Sequence, residues 1–276
     1  MNAFFEMVNK RWDTGARVCV GFDPDPEFMP SEYCAGGSSG QLAFMTDVLQ
    51  KVAPRALCVK VNRKFFHDTG GLLALESFID YVHRKFPDLA VIHDGKDGDI
   101  GNSMRGASTE IFDVLKADGA TASPYLGHDS LEPLLARTDK GVFVLCRTSN
   151  KSATQFQNLE VRVPVDDKTT VIRLLYEHVA YVASEKWNAA GNCGLVVGAT
   201  APEELKRVRE IVGDMPILIP GIGKQGGDLA ATVRSGVTTD KRGIIITISS
   251  GIIFALDQRR AIANYTNHIN DILATM

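Results

Sequence analysis

Eight short runs rich in Val, Ile, Leu and Cys recur along the chain, with segments of helical periodicity between them. The runs span residues 17–22, 56–61, 89–94, 117–123, 141–146, 193–197, 216–220 and 243–248. Apart from the fourth (ADGATAS), their apolar residues are near-continuous rather than alternating. That pattern belongs to strands covered on both faces, as parallel strands are when helices cross over them. The periodicity predicts helices over 41–52, 72–86, 169–187, 202–212 and 251–274, with shorter ones near 103–115 and 131–136. In the first, Leu42, Met45, Leu49 and Val52 share a face; in the second, Leu72, Leu75, Ile79, Val82 and Phe86 do. Eight strands in β/α alternation favour a closed (β/α)8 TIM barrel over an open doubly wound sheet. The 276 residues match the size of one barrel, and no linker, low-complexity segment or internal repeat divides them. A single domain over 1–276 is the expectation.

The formal net charge of −3 gives no global pull towards nucleic acid, so any anion site must be local. The first residues, MNAFFEMVNKRWDTG, lack the apolar stretch and small-residue cleavage site of a targeting signal. Phe4, Phe5, Val8 and Trp12 recur near helical spacing instead, which predicts an amphipathic helix docked on the domain. No run of about 18 apolar residues is present to span a bilayer. Four of the five cysteines (Cys19, Cys58, Cys146, Cys193) lie in apolar runs, Cys34 does not, and no CxxC pair occurs. Buried thiols in a reducing compartment are expected. The chain therefore reads as a soluble cytoplasmic protein.

In a barrel, active sites form where the strands end. Two long loops lie on that side, residues 24–40 after the first strand and 147–168 after the fifth. The third strand ends in I-H-D-G-K-D-G-D-I. Asp94 and Lys96 are two apart, so regular strand alternation puts both on the face at the barrel mouth. Asp99 follows in the turn, and Lys60 ends the neighbouring strand. A lysine among aspartates keeps its proton. It is then a poor base but a good general acid and a good stabiliser of a developing carbanion, which points to decarboxylation or enolate chemistry. A solvated charge run is the plainer reading of D-x-K-x-x-D by itself; the end of a buried strand is what argues against it here.

After the seventh strand, Gly221, Gly223, Gly226 and Gly227 free the backbone to approach an anion, with a helix N-terminus following. This is a common phosphate position in barrels. Ser149 and Asn150 after the fifth strand suit a polar heterocycle, or a turn. Asp23 after the first strand suits a ribose hydroxyl, or a loop cap. The histidines (His67, His83, His93, His128, His178, His268) form no H-x-x-x-H pair, so no metal site is expected, and His93 alternates away from Asp94 towards the helices.

Together the segments VGFDPD, K-x-N-x-x-F-F, D-x-K-x-x-D-I-G-N, SPYLGHDSLEPLL, FVLCRTSN, GLVVGAT-x-PEEL and ILIPGIG-x-QGGD resemble the orotidine 5'-monophosphate decarboxylase family, its longer bacterial-type branch in particular. They are colinear along nearly the whole chain. The resemblance implies a barrel enzyme that needs no cofactor or metal and acts on a small nucleotide. It implies that Lys60, Asp94, Lys96 and Asp99 form a charged array. Lys96 would protonate C6 of the pyrimidine, Asp94 would lie against the substrate carboxylate, and Lys60 would hold Asp94 and a ribose hydroxyl. Asp99, Ile100 and Ser103 would reach across a homodimer interface into the neighbouring site. Asp23 would take the ribose, Ser149 the pyrimidine, and Pro220 and Gln225, with the glycine loop, the phosphate.

One departure stands out. The family's last strand usually leads into S-R-G-I or G-R-S-I, whereas this chain has S-S-G-I, with Ser250 at the phosphate arginine's place. Lys224, where alanine is common, is the expected substitute cation. Two other readings stay open: a metal-dependent sugar-phosphate decarboxylase or aldolase of the same superfamily, and a nucleotide-binding homologue with weakened catalysis.

Overall fold

The computed structural model describes residues 2–66, 70–164 and 168–276; His67 and part of the long loop after the fifth strand lie outside that set. The elements run α1 (Ala3–Asp13), β1 (Val18–Phe22), α2 (Ser31–Cys34), α3 (Ser38–Val52), β2 (Ala56–Val61), α4 (Gly71–Lys85), β3 (Val91–Asp97), α5 (Gly101–Thr109), β4 (Gly119–Ala122), α6 (His128–Leu135), β5 (Gly141–Arg147), α7 (Thr154–Gln157), β6 (Glu160–Pro164), β7 (Thr170–Leu174), α8 (Leu175–Val182), β8 (Cys193–Val197), α9 (Pro202–Val212), β9 (Ile217–Ile219), α10 (Leu229–Gly236), β10 (Ile244–Ile248), α11 (Ser250–Ile253) and α12 (Gln258–Ala274). A closed barrel forms in the order β1-β10-β9-β8-β5-β4-β3-β2, each neighbouring pair parallel. Strands β1, β2, β8 and β10 are buried at every position, which is why their sequences do not alternate.

Inside the barrel the side chains change character with height. Cys58, Ile92 and Ile245 belong to the apolar cluster at its base. Two residues further along the same strands stand Lys60, Asp94 and Thr247, which line a cleft at the top. Period-2 geometry puts each such pair on one face, so the barrel is dry at its base and polar at its mouth.

Helix α1 closes the base. Phe4 sits edge-on to Phe5 (5.0 Å) and to Phe143 of β5 (5.6 Å). The ring fills the space where Gly141 lacks a side chain: a Cβ there would stand 2.6 Å from Phe4 Cδ1. Arg11 is buried, and its Nη1 donates to the carbonyls of Ala53 (2.9 Å) and Ala56 (2.6 Å). The expected amphipathic face of Phe4, Phe5, Val8 and Trp12 is buried throughout. Cys19, Cys58, Cys146 and Cys193 are buried free thiols, and Cys34 is exposed. Among the described residues no helix is long and apolar enough to cross a membrane.

Several expectations need correction. The helix predicted over 169–187 begins only at Leu175; residues Thr170–Leu174 form β7, paired antiparallel with β6. Exposed and half-buried residues alternate along β6 and along β7 as far as Arg173, the pattern of a ribbon with one covered face. The helix predicted over 251–274 is broken before Asp257, whose carboxylate caps α12 by accepting from Arg260 N–H (3.0 Å). Leu72 is 44% exposed and lies off the buried face of α4. The segment near 103–115 is α5 followed by one π-helical turn.

Replacing Phe4 by Ala empties the plug, and large-to-small changes of this kind cost about 3–5 kcal/mol. Urea unfolding should show that loss; a stability within about 1 kcal/mol of the parent would show that α1 does not seal the core.

Candidate active site

The C-terminal ends of the strands surround a cleft of about 360 Å³. At its floor, Asp94 Oδ2 accepts from Lys60 Nζ (2.5 Å) and Oδ1 from Lys96 Nζ (2.6 Å). Thr121 Oγ1 of β4 donates to the same Oδ1 (3.0 Å) and accepts the Lys96 backbone N–H (3.0 Å). Lys60 and Asp94 are buried, while the Lys96 side chain is 47% exposed.

Asp94 and Lys96 meet, but not through regular alternation. On β3, His93 pairs with Ala120 and Asp97 with Ala122, so four positions on one strand span two on the other. The strand bulges there, and Lys96 takes φ +54°, the left-handed region. Gly95 makes this possible, since a Cβ on it would lie 2.1 Å from Asp97 Oδ2. The bulge re-aims Lys96 over Asp94. Backbone in so sparsely populated a region stores about 1–3 kcal/mol and persists only where its surroundings hold it; Thr121 does so here.

Burial alone would push Asp94 up and Lys60 down. The ammonium groups of Lys60 and Lys96 outweigh that for Asp94, whose carboxyl is held well below the usual carboxylate range. Asp94, with Asp23 behind it, likewise raises Lys60 above the ordinary lysine value. Asp94 is therefore an anion and Lys60 a cation at every pH at which the protein would work. Lys96 combines exposure to the cleft with an ammonium, and so can deliver a proton.

The other expected residues divide. Asp23, Ser149, Pro220, Lys224, Gln225 and Ser250 all line the cleft. Asp23 Oδ1 is buried without a hydrogen-bond partner, as is Thr247 Oγ1 on the neighbouring strand β10. Such atoms, side by side at the ends of β1 and β10, carry a desolvation cost until a ligand or water satisfies them. Gly223 does not line the cleft; it shapes the loop with φ +95°, accepting from Gly226 N–H (2.8 Å). The helix N-terminus after that loop is already capped, because Asp228 accepts from Ala231 N–H (3.0 Å), so the expected anion site there reduces to the loop. Asn150 accepts from Thr148 Oγ1 (2.6 Å) and is a turn residue.

Asp99 departs from the expected convergence. It is exposed, lies beyond the end of β3, accepts from Ile100 N–H (2.7 Å) and does not line this cleft. Ile100 (58% exposed) and Ser103 face outward with it. The strand ends at Asp97, and residues 98–100 beyond it are exposed. His93 faces the helices, fully buried with neither ring nitrogen hydrogen-bonded, and burial pushes its pKa down despite nearby Asp97. Among the described residues no three His, Cys, Asp or Glu side chains gather as a metal site.

Two contacts were hidden from the sequence. Thr121 sits in a strand too short and small-residued to stand out. The Lys224 ammonium lies 3.8 Å from the ring centroid of Phe28, which projects from the loop after β1.

The closed parallel barrel and the ammonium–carboxylate cluster at its strand ends define a TIM-barrel protein with a polar small-molecule site. The family model for "Orotidine 5'-phosphate decarboxylase / HUMPS family" matches residues 16–265. The orotidine 5'-phosphate decarboxylase of Cupriavidus taiwanensis is 43% identical over 253 residues, covering 91% of this chain and 89% of that protein. The solved Leishmania donovani OMP decarboxylase has a TM-score of 0.84 at 36% identity and covers 98% of both chains. The L. donovani UMP synthase has a TM-score of 0.87 at 37% identity; this chain spans 99% of itself but 56% of that protein. The chain belongs to the orotidine 5'-phosphate decarboxylase / HUMPS family.

Changing Asp94 to Asn would leave the Lys60 ammonium buried without its nearest anion. Breaking a buried pair in this way costs about 3–5 kcal/mol, which chemical denaturation should register. The depressed Asp94 pKa adds a sign: its stabilisation is complete above the ordinary carboxylate pKa and is lost as pH falls through the folded-state value. The parent should thus lose stability in acid more steeply than the Asn variant, and parallel curves would contradict the pairing.

Proposed function

We propose that this chain decarboxylates orotidine 5'-monophosphate to uridine 5'-monophosphate and CO2, the pyrimidine-forming step, without metal or organic cofactor. The observation that carries the proposal is the half-exposed Lys96 ammonium poised over Asp94 at the cleft floor. With the pyrimidine C6 facing Lys96, the bond from C6 to the carboxylate carbon breaks and its electron pair stays on C6. An N–H of Lys96 donates its proton to that carbon, and the amine recovers a proton from water. The ammonium also stabilises the charge as it develops, in a site where the fixed partners need no reorganisation. Both oxygens of Asp94 are already committed to ammonium groups, which leaves that carboxylate ill suited to a divalent metal.

In this reading Asp94 faces the leaving carboxylate, Lys60 and Asp23 take ribose hydroxyls, and Ser149 takes the pyrimidine edge. Pro220, Gln225 and the loop shaped by Gly223 surround the phosphate, beside Ser250. Binding energy from these remote contacts can be used to hold the reacting atoms in place and so raise kcat. Asp99, Ile100 and Ser103, which point away from their own cleft, would complete the site of a second copy in a cytoplasmic homodimer of one-domain subunits. With Ser250 too short and uncharged to clamp a dianion, Lys224 supplies the cation.

Metal-free turnover tests the first part. Orotidine monophosphate absorbance should fall in EDTA, and Lys96→Ala should lose at least about 10²–10⁴-fold in kcat, the range of positioned proton transfer. Turnover that needs an added divalent ion would sink the reading in favour of the sugar-phosphate branch, and tight nucleotide binding with no turnover would favour a binding homologue.

The substitute cation has its own test. A charge-assisted contact is worth about 1.5–3 kcal/mol, so Lys224→Ala should raise KM about 10–150-fold, and Ser250→Arg should lower the parent's KM. Kinetics indifferent to both changes would show the phosphate charge is met elsewhere.

A further inference from the structure

We propose that Phe28 is a positioning residue for phosphate recognition: its ring holds the Lys224 ammonium at the cleft mouth, so that an incoming dianion meets a cation already in place. The inference rests on the nucleotide reading above and adds to it a residue from the loop after β1, two strands from the loop that carries Lys224.

Of the three lysines lining the cleft, Lys60 and Lys96 are tied to Asp94, whereas Lys224 faces a neutral ring. Its ammonium, 3.8 Å from the Phe28 centroid, lies at the negative face of the ring quadrupole. The ring is itself held. Phe28 packs on Phe254 (5.9 Å), and Phe254 stacks on Phe44 of α3 at 5.7 Å with an interplanar angle of 13°. Phe44 is buried in the core, so the aromatic row is rooted in the fold. Phe254 directly follows α11, the turn that carries Ser250. The row therefore joins the loop after β1 to the turn that has no arginine, and the loop after β9 contributes the charge.

The chemistry of the pair suits a dianion. An ammonium has three N–H donors, and a ring on one side leaves the others free to face the cleft. A carboxylate partner would compete with phosphate for the charge; a neutral ring attracts the ammonium more weakly than phosphate does. Lysine side chains lose rotamer freedom when they bind, and a contact that orders the chain beforehand removes part of that cost. Phe28 thus acts through Lys224 and only on ligands that carry the phosphate.

The test compares Phe28→Leu, Phe28→Tyr, Lys224→Ala and the Phe28→Leu/Lys224→Ala double variant. Binding of uridine monophosphate and of uridine is measured by calorimetry, alongside KM and kcat for orotidine monophosphate. Leucine keeps the apolar contact with Phe254 but has no π face. We expect Phe28→Leu to weaken the nucleotide about two- to fivefold, the size of an exposed cation–π contact, with uridine affinity and kcat unchanged. Tyrosine should restore parental binding, and leucine should add nothing in the Lys224→Ala background. Equal weakening of uridine, or an undiminished leucine effect without Lys224, would overturn the proposal, because the ring would then act by packing. Uridine monophosphate binding no tighter than uridine would overturn it too. The expected binding pattern in a protein that turns over nothing would support Phe28's role while refuting the decarboxylase reading.

Discussion

A buried carboxylate held between two ammonium groups sets the terms for everything at the barrel mouth. Taking Asp94 and Lys60 out of water is costly, and attraction repays the cost only where the geometry is close and the remaining lone pairs are met. Here Lys60, Lys96 and Thr121 supply three donors to two oxygens. Removing any one leaves a charge or a lone pair uncompensated, so the cluster behaves as a unit. It carries one surplus positive charge, a fitting reception for a substrate that loses CO2 and leaves an electron pair behind.

That geometry depends on an irregularity in the strand. A regular β3 would separate successive inner-face residues by two pleats and place Lys96 higher on the wall. The bulge between His93 and Asp97, permitted by Gly95, folds Lys96 back onto Asp94. The same bulge ends the inward run of charge. Beyond Asp97 the chain turns outward, and Asp99 and Ile100 become surface residues. One local feature thus separates the residues that line this cleft from those exposed at the surface.

The barrel was legible because burial on both faces leaves a strong compositional trace, and Lys60 and Asp94 stood out as charges inside apolar runs. Where the sequence misled, the cause was specific. The β6–β7 ribbon alternates with period two but abuts a true helix, whose apolar residues extended the apparent helical pattern backwards. Thr121 and Thr247 face the cleft from inside strands, where threonine is an ordinary β-branched residue and signals nothing. Spacing located Lys96 correctly for an incomplete reason, since alternation cannot reveal a bulge. The Phe28–Lys224 contact joins loops at opposite ends of the chain, and no local pattern encodes it.

The two ends of the cleft tolerate change differently, and distance dependence explains why. In the proposed reaction the proton donor must lie within hydrogen-bond reach of the reacting carbon, so Lys96 in that role must come from this strand, through this bulge. Attraction between a cation and a phosphate dianion falls off only inversely with distance at short range. A cation can then be supplied from any rim loop that overlooks the same point. A serine at position 250 is compatible with an unaltered charged floor, provided another loop brings a positive charge to the mouth. In the proposed reading Lys224, set against a ring that packs towards the core, would meet that requirement without disturbing a single strand of the barrel.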